Sequence, residues 1–511
     1  MNKKIIGFIV FLLLIGFSVL SKADIVIDNK NVEELSIDDN YLKKPTFAES
    51  YLLDFWIEQD KLESNSGTSG DYFGNSVAID GNYAIVGSNG DDSGTGSANI
   101  YIRSGTSWVE QQKLVSSDSD VGDYFGCSVA IDGNYAIVGA FGDDGGTGSA
   151  YVFNRSGTNW VEEYKLVSSN GEVGDFFGCS VAIDGNYAIV GAYGDDNNTG
   201  AVYVYNNSVG VWIEEIKLIA PDFETGDYFG SSVSIDGNFV IVGAYGDDDY
   251  SGSAYILEVC CYWKWREKVN SSSGLPYFGW SVGINGNYAI VGAPGEPNSN
   301  SPGSAYVFNR DGNRWYEQTN WSGENIDDYL GISVAIDGNY AIVGSNGVDS
   351  ITGSAYIFNR TGTNWIEEQR LVTSDGEVGD NFGCSVAIYA GYALIGANGD
   401  ENSTGSAYVF LNSGIPDLSI EISGGFGVKA KITNNGDNEV KNLDFTIFIK
   451  GGIFGMINRS FNYQIDILPS ESKIVTSDIF IGIGKIDILA FTDFDEKNVL
   501  GIHLLFFSIV Y

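Results

Sequence analysis

Histidine is almost missing from this chain: His503 is the only one in 511 residues. It lies outside the repeated part described below and reads as a lone structural residue. Cysteines number five, an odd count, and none is spaced as in a zinc finger. Basic residues are scarce, with 27 Lys and Arg against 67 Asp and Glu and a formal net charge of −40. A surface of that sign repels phosphate backbones and anionic headgroups, which argues against nucleic acid or an acidic membrane as partner. Solubility is the plain consequence of such acidity, and attraction of cations the sharper one. No window shows the three-to-four-residue apolar spacing of an amphipathic helix. Beyond the N-terminus no apolar run is long enough to span a bilayer, and the short tail Leu504–Tyr511 reads as a last strand.

The N-terminus does hold one apolar run. Lys3 and Lys4 precede Ile5 to Leu20, followed by Ser21-Lys22-Ala23 before Asp24. This order predicts a secretory signal over residues 1–23, with an uncleaved anchor as the alternative, and places the rest outside the cytoplasm. Residues 24–54 are polar and acidic without a period and read as a spacer.

What dominates the chain is repetition. An aromatic-Gly or Leu-Gly pair ends at Gly74, Gly126, Gly178, Gly230, Gly279, Gly331 and Gly383, 52 residues apart except for one step of 49. Each copy contains four strand-like runs, as in SVAI, NYAIVGA, GSAYVF and WVEEYKL, joined by Gly, Asn, Asp and Ser. Seven such units predict a β-propeller of seven blades. The Asp-Gly-Asn joint signals a tight hairpin. Period-two alternation puts Val129 and Ile131 on one face of their strand and Ser128 and Ala130 on the other, so a bulky face can nest against the small face of the next blade. The seventh copy stops at Phe410 without its Trp-initiated strand, which occurs at Trp108, Trp160, Trp212, Trp265, Trp315 and Trp365 in the others. The missing run stands before the first copy, as FWIEQDKL at Phe55–Leu62, and predicts a clasp that closes the ring.

These motifs, FG…SVAIDGNYAIVGA…GSAYVF seven times over, resemble the FG-GAP repeat of integrin α-subunit heads and their prokaryotic relatives, across residues 55–411. The resemblance implies the propeller fold and, less specifically, a binding scaffold. In integrin-like members a D-x-D-x-D-G loop between the first two strands of a blade holds calcium. Here that joint is only Asp80-Gly81-Asn82, Asp132-Gly133-Asn134 or Asp184-Gly185-Asn186, so no calcium site is carried over and no cofactor is expected.

Loops on one end of the ring collect carboxylates. The lead-in loop of each blade brings Asp71, Asp123, Asp175, Asp227, Asp328 and Asp380. The loop after the second run brings Asp91, Asp92, Asp143, Asp144, Asp195, Asp196, Asp247, Asp248, Asp249, Asp400 and Glu401. Blades five and six break the pattern with Pro276, Glu296 and Val348-Asp349. These acids could bind a hard cation or close their own turns. The ligand-binding candidates are Asp91, Asp92, Asp143, Asp144, Asp195, Asp196, Asp247, Asp248 and Asp400. Aromatic residues in the same loops, Tyr72, Tyr124, Phe176, Tyr228, Tyr277 and Tyr329, either stack on a ligand or plug the gaps between blades. The opposite end carries Arg103, Arg155, Arg310 and Arg360; a sialidase-like site would want an Arg cluster with an acidic and a Tyr partner at the channel mouth, and the lead-in loop end has almost no Arg. Cys127, Cys179 and Cys384 share one slot at the start of the innermost strand, where a Cys127–Cys179 disulfide is one option.

After Pro416 short alternating strands predict an immunoglobulin-like β-sandwich over 415–511. The expectation is therefore an all-β, exported binding or adhesion protein, not an enzyme, with residues 55–414 as propeller. Its partner would be an extracellular protein or glycan, and self-association is open. The alternatives are a structural surface assembly or a carbohydrate-active hydrolase or lyase.

Overall fold

A computed structural model describes residues 56–208, 210–259, 263–295 and 301–413, and segments between 418 and 510. The expected signal and spacer, the Cys260-Cys261 pair and Glu296 lie outside the described residues.

The strands Ser76–Asp80, Tyr83–Ser88, Ser97–Ser104 and Ser107–Leu114 pair antiparallel in chain order to form the first blade. Five further blades repeat that order. The first strands of successive blades pack against one another and form the inner wall of the ring. Asp132 pairs with Tyr135 across a two-residue turn, and of the two turn residues only Gly133 takes a positive φ, of 55°. A turn with glycine first matches the right-handed twist of its strands.

Nesting between blades follows the sizes of the side chains. Val181 and Ile183 of the third blade are buried with Ile137 and Val152 of the second, and Ala130 offers the small face beneath them. Burial of one such side chain contributes roughly 1.5–3 kcal/mol. The Phe of each FG pair fills the seam at another level: Phe73, Phe125, Phe177, Phe229, Phe278 and Phe382 are fully buried. Serines stitch the wall at its polar positions. Ser76 Oγ accepts from Val129 N at 3.0 Å and Ser128 Oγ from Val181 N at 3.0 Å.

The seventh blade is built from both ends of the repeat region. Trp56–Leu62 pairs antiparallel with Ser406–Asn412, running from Trp56 opposite Asn412 to Leu62 opposite Ala407. Its two ends serve different seams. Trp56 packs toward the sixth blade, with its ring 5.5 Å from Tyr340 at 80°. Leu62 is buried with Val77 and Ile79 of the first blade. One reading of the sequence needs correction: in the fourth blade Trp263, not Trp265, takes the conserved tryptophan place. Trp263 pairs with Val259 and packs edge-on against Tyr187 at 5.7 Å, as Trp212 does against Tyr135.

The C-terminal strands form two antiparallel sheets. One orders Leu418–Ser423, Lys429–Asn434 and Ser472–Thr476; the other has five strands between Val440 and Val510. The two sheets touch through Leu418–Ser423 and the strands after Gly482.

Because Trp56 is buried at the closing seam, Trp56→Ala is expected to cost about 3–5 kcal/mol. Ile57→Ala, on the 57% exposed neighbour, should stay within about 0.5 kcal/mol. Urea unfolding of the two variants checks this, and equal effects would show that the strand does not close the ring.

Candidate functional site on the lead-in loop face

The loop after each second strand is a tight left-handed turn. Asp144, Gly145 and Gly146 have φ of 50°, 71° and 92°. Asp, Asn, Ser and Gly tolerate this conformation, which is why the sequence there is DDGG, DDNN or DDSG. The turn's carbonyls receive the lead-in loop of the next blade: Gly122 N and Tyr124 N both donate to Gly94 O, at 3.1 and 2.9 Å. The two loop sets therefore share one face, as the repeat predicts.

Most of the acids on this face are engaged within the chain. Asp143 is buried and takes an ion pair from Lys165 at 2.6 Å, with Ser149 Oγ donating at 2.5 Å. Lys113–Asp91, Lys217–Asp195, Lys268–Asp247 and Lys61–Asp400 repeat the pair. Burial alone would lower the pKa of Lys165, but Asp118 and Asp143 outweigh it and hold the ammonium above its usual range. The second acid of each pair differs. Asp92, Asp144, Asp196 and Asp248 have φ between 47° and 51° and face solvent. So the nine candidates divide into five buried structural acids and four exposed ones. The lead-in acids close their own loops: Asp123 accepts from Asp120 N at 2.6 Å, and Asp71, Asp175, Asp227, Asp328 and Asp380 do the same three residues back. Among the described residues no group of three or more His, Cys, Asp or Glu stands close enough to hold a metal ion.

The aromatic residues behave otherwise. Tyr72, Tyr124, Phe176, Tyr228, Tyr277 and Tyr329 all have φ between 55° and 63°, a strained conformation for a bulky side chain. They sit between the loops of neighbouring blades, with the Tyr124 ring against Gly94 of the first blade and Gly142 of the second, while the adjacent Phe, or Leu330 in the sixth blade, is buried in the seam below. Tyr72 and Tyr124 remain 44% and 39% exposed. From the second blade to the fifth, rings follow one another in an arc. Tyr124 stacks on Phe141 at 5.1 Å, Phe176 on Tyr193 at 5.3 Å and Tyr228 on Tyr245 at 4.9 Å, with 6.1 Å steps between the pairs. Trp280 ends it, 5.0 Å from Tyr245. Asn89, Asn346 and Asn398 stand where Phe141, Tyr193 and Tyr245 do in those blades, so one side of the face is aromatic and the other carries amides.

The arc ends in a cavity of about 520 Å³ lined by Tyr228, Tyr245, Tyr250, Tyr277, Trp280, Pro294, Gly295, Tyr329, Ile332 and Asn346. The acidic residues proposed from sequence do not line it. Two signals in the sequence point here: the single 49-residue step falls at Gly279, and Trp280 occupies the slot held by Asn75, Cys127, Cys179, Ser231, Ile332 and Cys384 in the other blades. Burial, with the neighbouring tyrosines, raises the Tyr245 hydroxyl above its ordinary range. Burial and Asp327 do the same to Tyr329.

The opposite end is occupied by contacts between blades. Asp80 accepts from Gly133 N at 2.8 Å and Asp132 from Gly185 N at 2.7 Å, each reaching the next hairpin. Arg155 lies over the Tyr83 ring at 4.7 Å and Arg360 over Tyr288 at 4.3 Å, so these cations clamp the preceding blade. Cys127 and Cys179 are free thiols; Cys127 Sγ donates to Gly178 O and Cys179 Sγ to Gly230 O. Burial pushes them up to about 12 and about 11.

Two outcomes follow from the acids. Lys165→Met strands a buried carboxylate and should cost about 3 kcal/mol. Adding Asp143→Val, which copies Val348 of the sixth blade, should restore at least half of that loss in urea unfolding. The pH dependence has two arms. Desolvation raises Asp123, Asp175, Asp227 and Asp380 above the usual 3.8. These bind protons more tightly when folded, so they add stability as pH falls toward that value. Asp118, Asp222, Asp375 and Asp400 resist desolvation through their Lys partners and sit below 3.8. Their stabilisation is present above 3.8 and is lost as pH falls through the lower folded values. The melting temperature should therefore hold or rise from pH 7 to just above 4 and then fall; a steady decline from pH 7 would contradict this assignment.

No curated protein matches this chain. Among solved structures it is similar to a protein from Lactobacillus plantarum, 15% identical with a TM-score of 0.42 over 61% of this chain and 87% of that one. Sqt1 from Chaetomium thermophilum is 11% identical with a TM-score of 0.41 over 89% and 99%. One of two prolyl endopeptidases is 10% identical with a TM-score of 0.40 over 72% and 54%. The FG-GAP repeat family matches seven times, at residues 56–102, 108–153, 160–205, 212–257, 273–308, 322–358 and 365–410. Each match ends within the third strand of a blade, and together they span more than half of the chain, so this protein belongs to the FG-GAP repeat family.

Proposed function

We propose that this protein is an exported recognition protein, secreted or held at the cell surface, that binds an extracellular protein or glycan through the lead-in loop face of its propeller. The FG-GAP scaffold supports a binding role, and the observation that carries the choice of face is the half-exposed aromatic arc from Tyr124 to Trp280. Rings held on strained backbone by hydrogen bonds from the neighbouring blade lose little freedom on binding, which favours them as contact residues. The four exposed acids beside them would contribute mainly to the rate of encounter. The opposite end offers less, because its arginines and aspartates are committed to neighbouring blades. The C-terminal sheets, over 415–511, fit an immunoglobulin-like spacer or docking domain in this reading.

Among the described residues no helix is long and apolar enough to cross a membrane. The N-terminal sequence supports export, and the mature chain is expected to begin at Asp24. Mass spectrometry of the protein from its native culture checks this; a retained Met1 would favour the anchor. The site is tested by probing arrays of glycans and extracellular proteins with the full mature chain. Trp280→Ala and Tyr228→Ala should each weaken the strongest signal at least tenfold. Asn replacement of Asp92, Asp144 and Asp196 should change it less and in a salt-dependent way. Binding untouched by the aromatic variants would move the site elsewhere.

A further inference from the structure

The aromatic cavity at the end of the arc has features that a flat stacking surface lacks. Its rings stand at steep angles to one another. Tyr277 and Trp280 meet at 67°, Tyr250 and Tyr277 at 76°, and Tyr245 and Trp280 at 48°, all with centroids within 6.0 Å. Walls at such angles present edges and faces to one enclosed volume. A sugar ring prefers a single open platform; a compact group surrounded on several sides suits a cage. Among the described residues no Lys, Arg, His, Asp or Glu lines the volume.

Acids stand close to the cage, one of them, Asp248, within 3.5 Å of the Lys268 ammonium. Asp248 and Asp249 directly precede Tyr250 and are exposed. Asp327 lies two residues before Tyr329; in five of the other six blades its place is taken by Gly70, Gly122, Gly174, Gly226 and Gly379, and in the fifth blade by Leu275. Those glycines have φ of 95° to 103°. Asp327 holds a φ of 64°, so a side chain stands at a backbone position that in those blades calls for glycine. Its Oδ1 is sealed from solvent and has no hydrogen-bond partner among the described residues, and the same holds for Oδ1 of Asn346 on the cavity wall. The half-buried carboxylate keeps one partner, a side-chain hydrogen bond with the Tyr329 hydroxyl, which places Asp327 beside the cage. Its remaining oxygen, sealed without a donor, favours something positive close by.

We infer that this cavity binds an organic cation, an alkylated ammonium group carried on a larger body, held by the faces of Tyr245, Tyr277 and Trp280 and by the negative charge of Asp327. Aromatic faces attract a desolvated ammonium through their quadrupoles, with Trp the strongest. A net charge of −40 draws cations to the face. The volume exceeds that of an ammonium head, leaving room for the rest of a small ligand or for a modified side chain of a partner. This rests on the reading of the lead-in loop face as the recognition surface and specifies the chemistry of one pocket on it.

The test is calorimetric titration of the full mature protein at low salt with three probes: choline, its uncharged carbon isostere 3,3-dimethylbutan-1-ol, and methyl α-D-glucoside. Choline should bind saturably, the isostere at least tenfold more weakly, and the glucoside not measurably. Trp280→Ala should weaken choline at least tenfold. Asp327→Asn, which keeps shape and tolerates the positive φ, should shrink the choline-to-isostere ratio while leaving the melting temperature unchanged, and it carries the test if the Trp280 variant fails to fold. Equal binding of choline and isostere, binding of the glucoside in place of choline, or an unchanged ratio in Asp327→Asn would overturn the inference. Absence of choline binding alongside an array signal that Trp280→Ala abolishes would overturn the cation but leave the recognition face standing.

Discussion

The nesting of one blade's bulky face against the next blade's small face is the constraint on which the rest of the structure depends. A single four-stranded sheet with two apolar faces has no dry place for Val181 or Ile183; a ring gives every such face a neighbour. That solution works only if the ring has no open seam. Trp56–Leu62 supplies the last strand, placing Trp56 in the seam with the sixth blade and Leu62 in the seam with the first. The polar links follow the same path around the circle. Serine hydroxyls, hairpin aspartates and arginine clamps each reach from one blade to the next, so neighbouring blades are joined at the wall, at the lower hairpins and at the upper loops.

A closed frame explains why strained side chains persist on the upper face. Tyr124 is held at positive φ because its N–H and that of Gly122 share one carbonyl of the preceding turn. The same arrangement recurs in blades one, three and four, and a single such bond holds the lead-in loops of blades five to seven, but what each blade presents differs. Blades two to four offer stacked pairs of aromatic rings, blade five adds Trp280, and the remaining blades place asparagines at the equivalent level. Function on a repeat protein is expected where the repeat is broken, since the shared positions are already committed to folding.

The fold was legible because a 52-residue period with four strand-like runs leaves few alternatives, and the clasp because FWIEQDKL restates the run that the seventh copy lacks. The acids were harder to read. A recurring Asp-Asp pair looks like a charged rim, yet Asp143 is folded under its loop onto Lys165. The chain held a clue to this, because a Lys recurs at the same register of the outer strand in Lys61, Lys113, Lys217 and Lys268. It gives way to Asn320 and Arg370 in the two blades whose loops lose the first Asp. The aromatic residues were read as either contact residues or plugs between blades, and they combine the two: Tyr124 and Phe176 each wedge between loop glycines of neighbouring blades while one side stays accessible above the buried Phe. Which of two neighbouring rings turns inward depends on a positive φ at the first, and composition does not reveal it.

The account stands on closure of the ring by its N-terminal strand, and hydrogen exchange of the intact mature protein tests that most directly. Amides of Trp56–Leu62 and Ser406–Asn412 should exchange together, protected to the same degree as inner strands such as Tyr187–Ala192 and released only with global unfolding. Rapid, independent exchange of Trp56–Leu62 while the other blades stay protected would mean an open seam, and would contradict the closed frame from which the rest is derived.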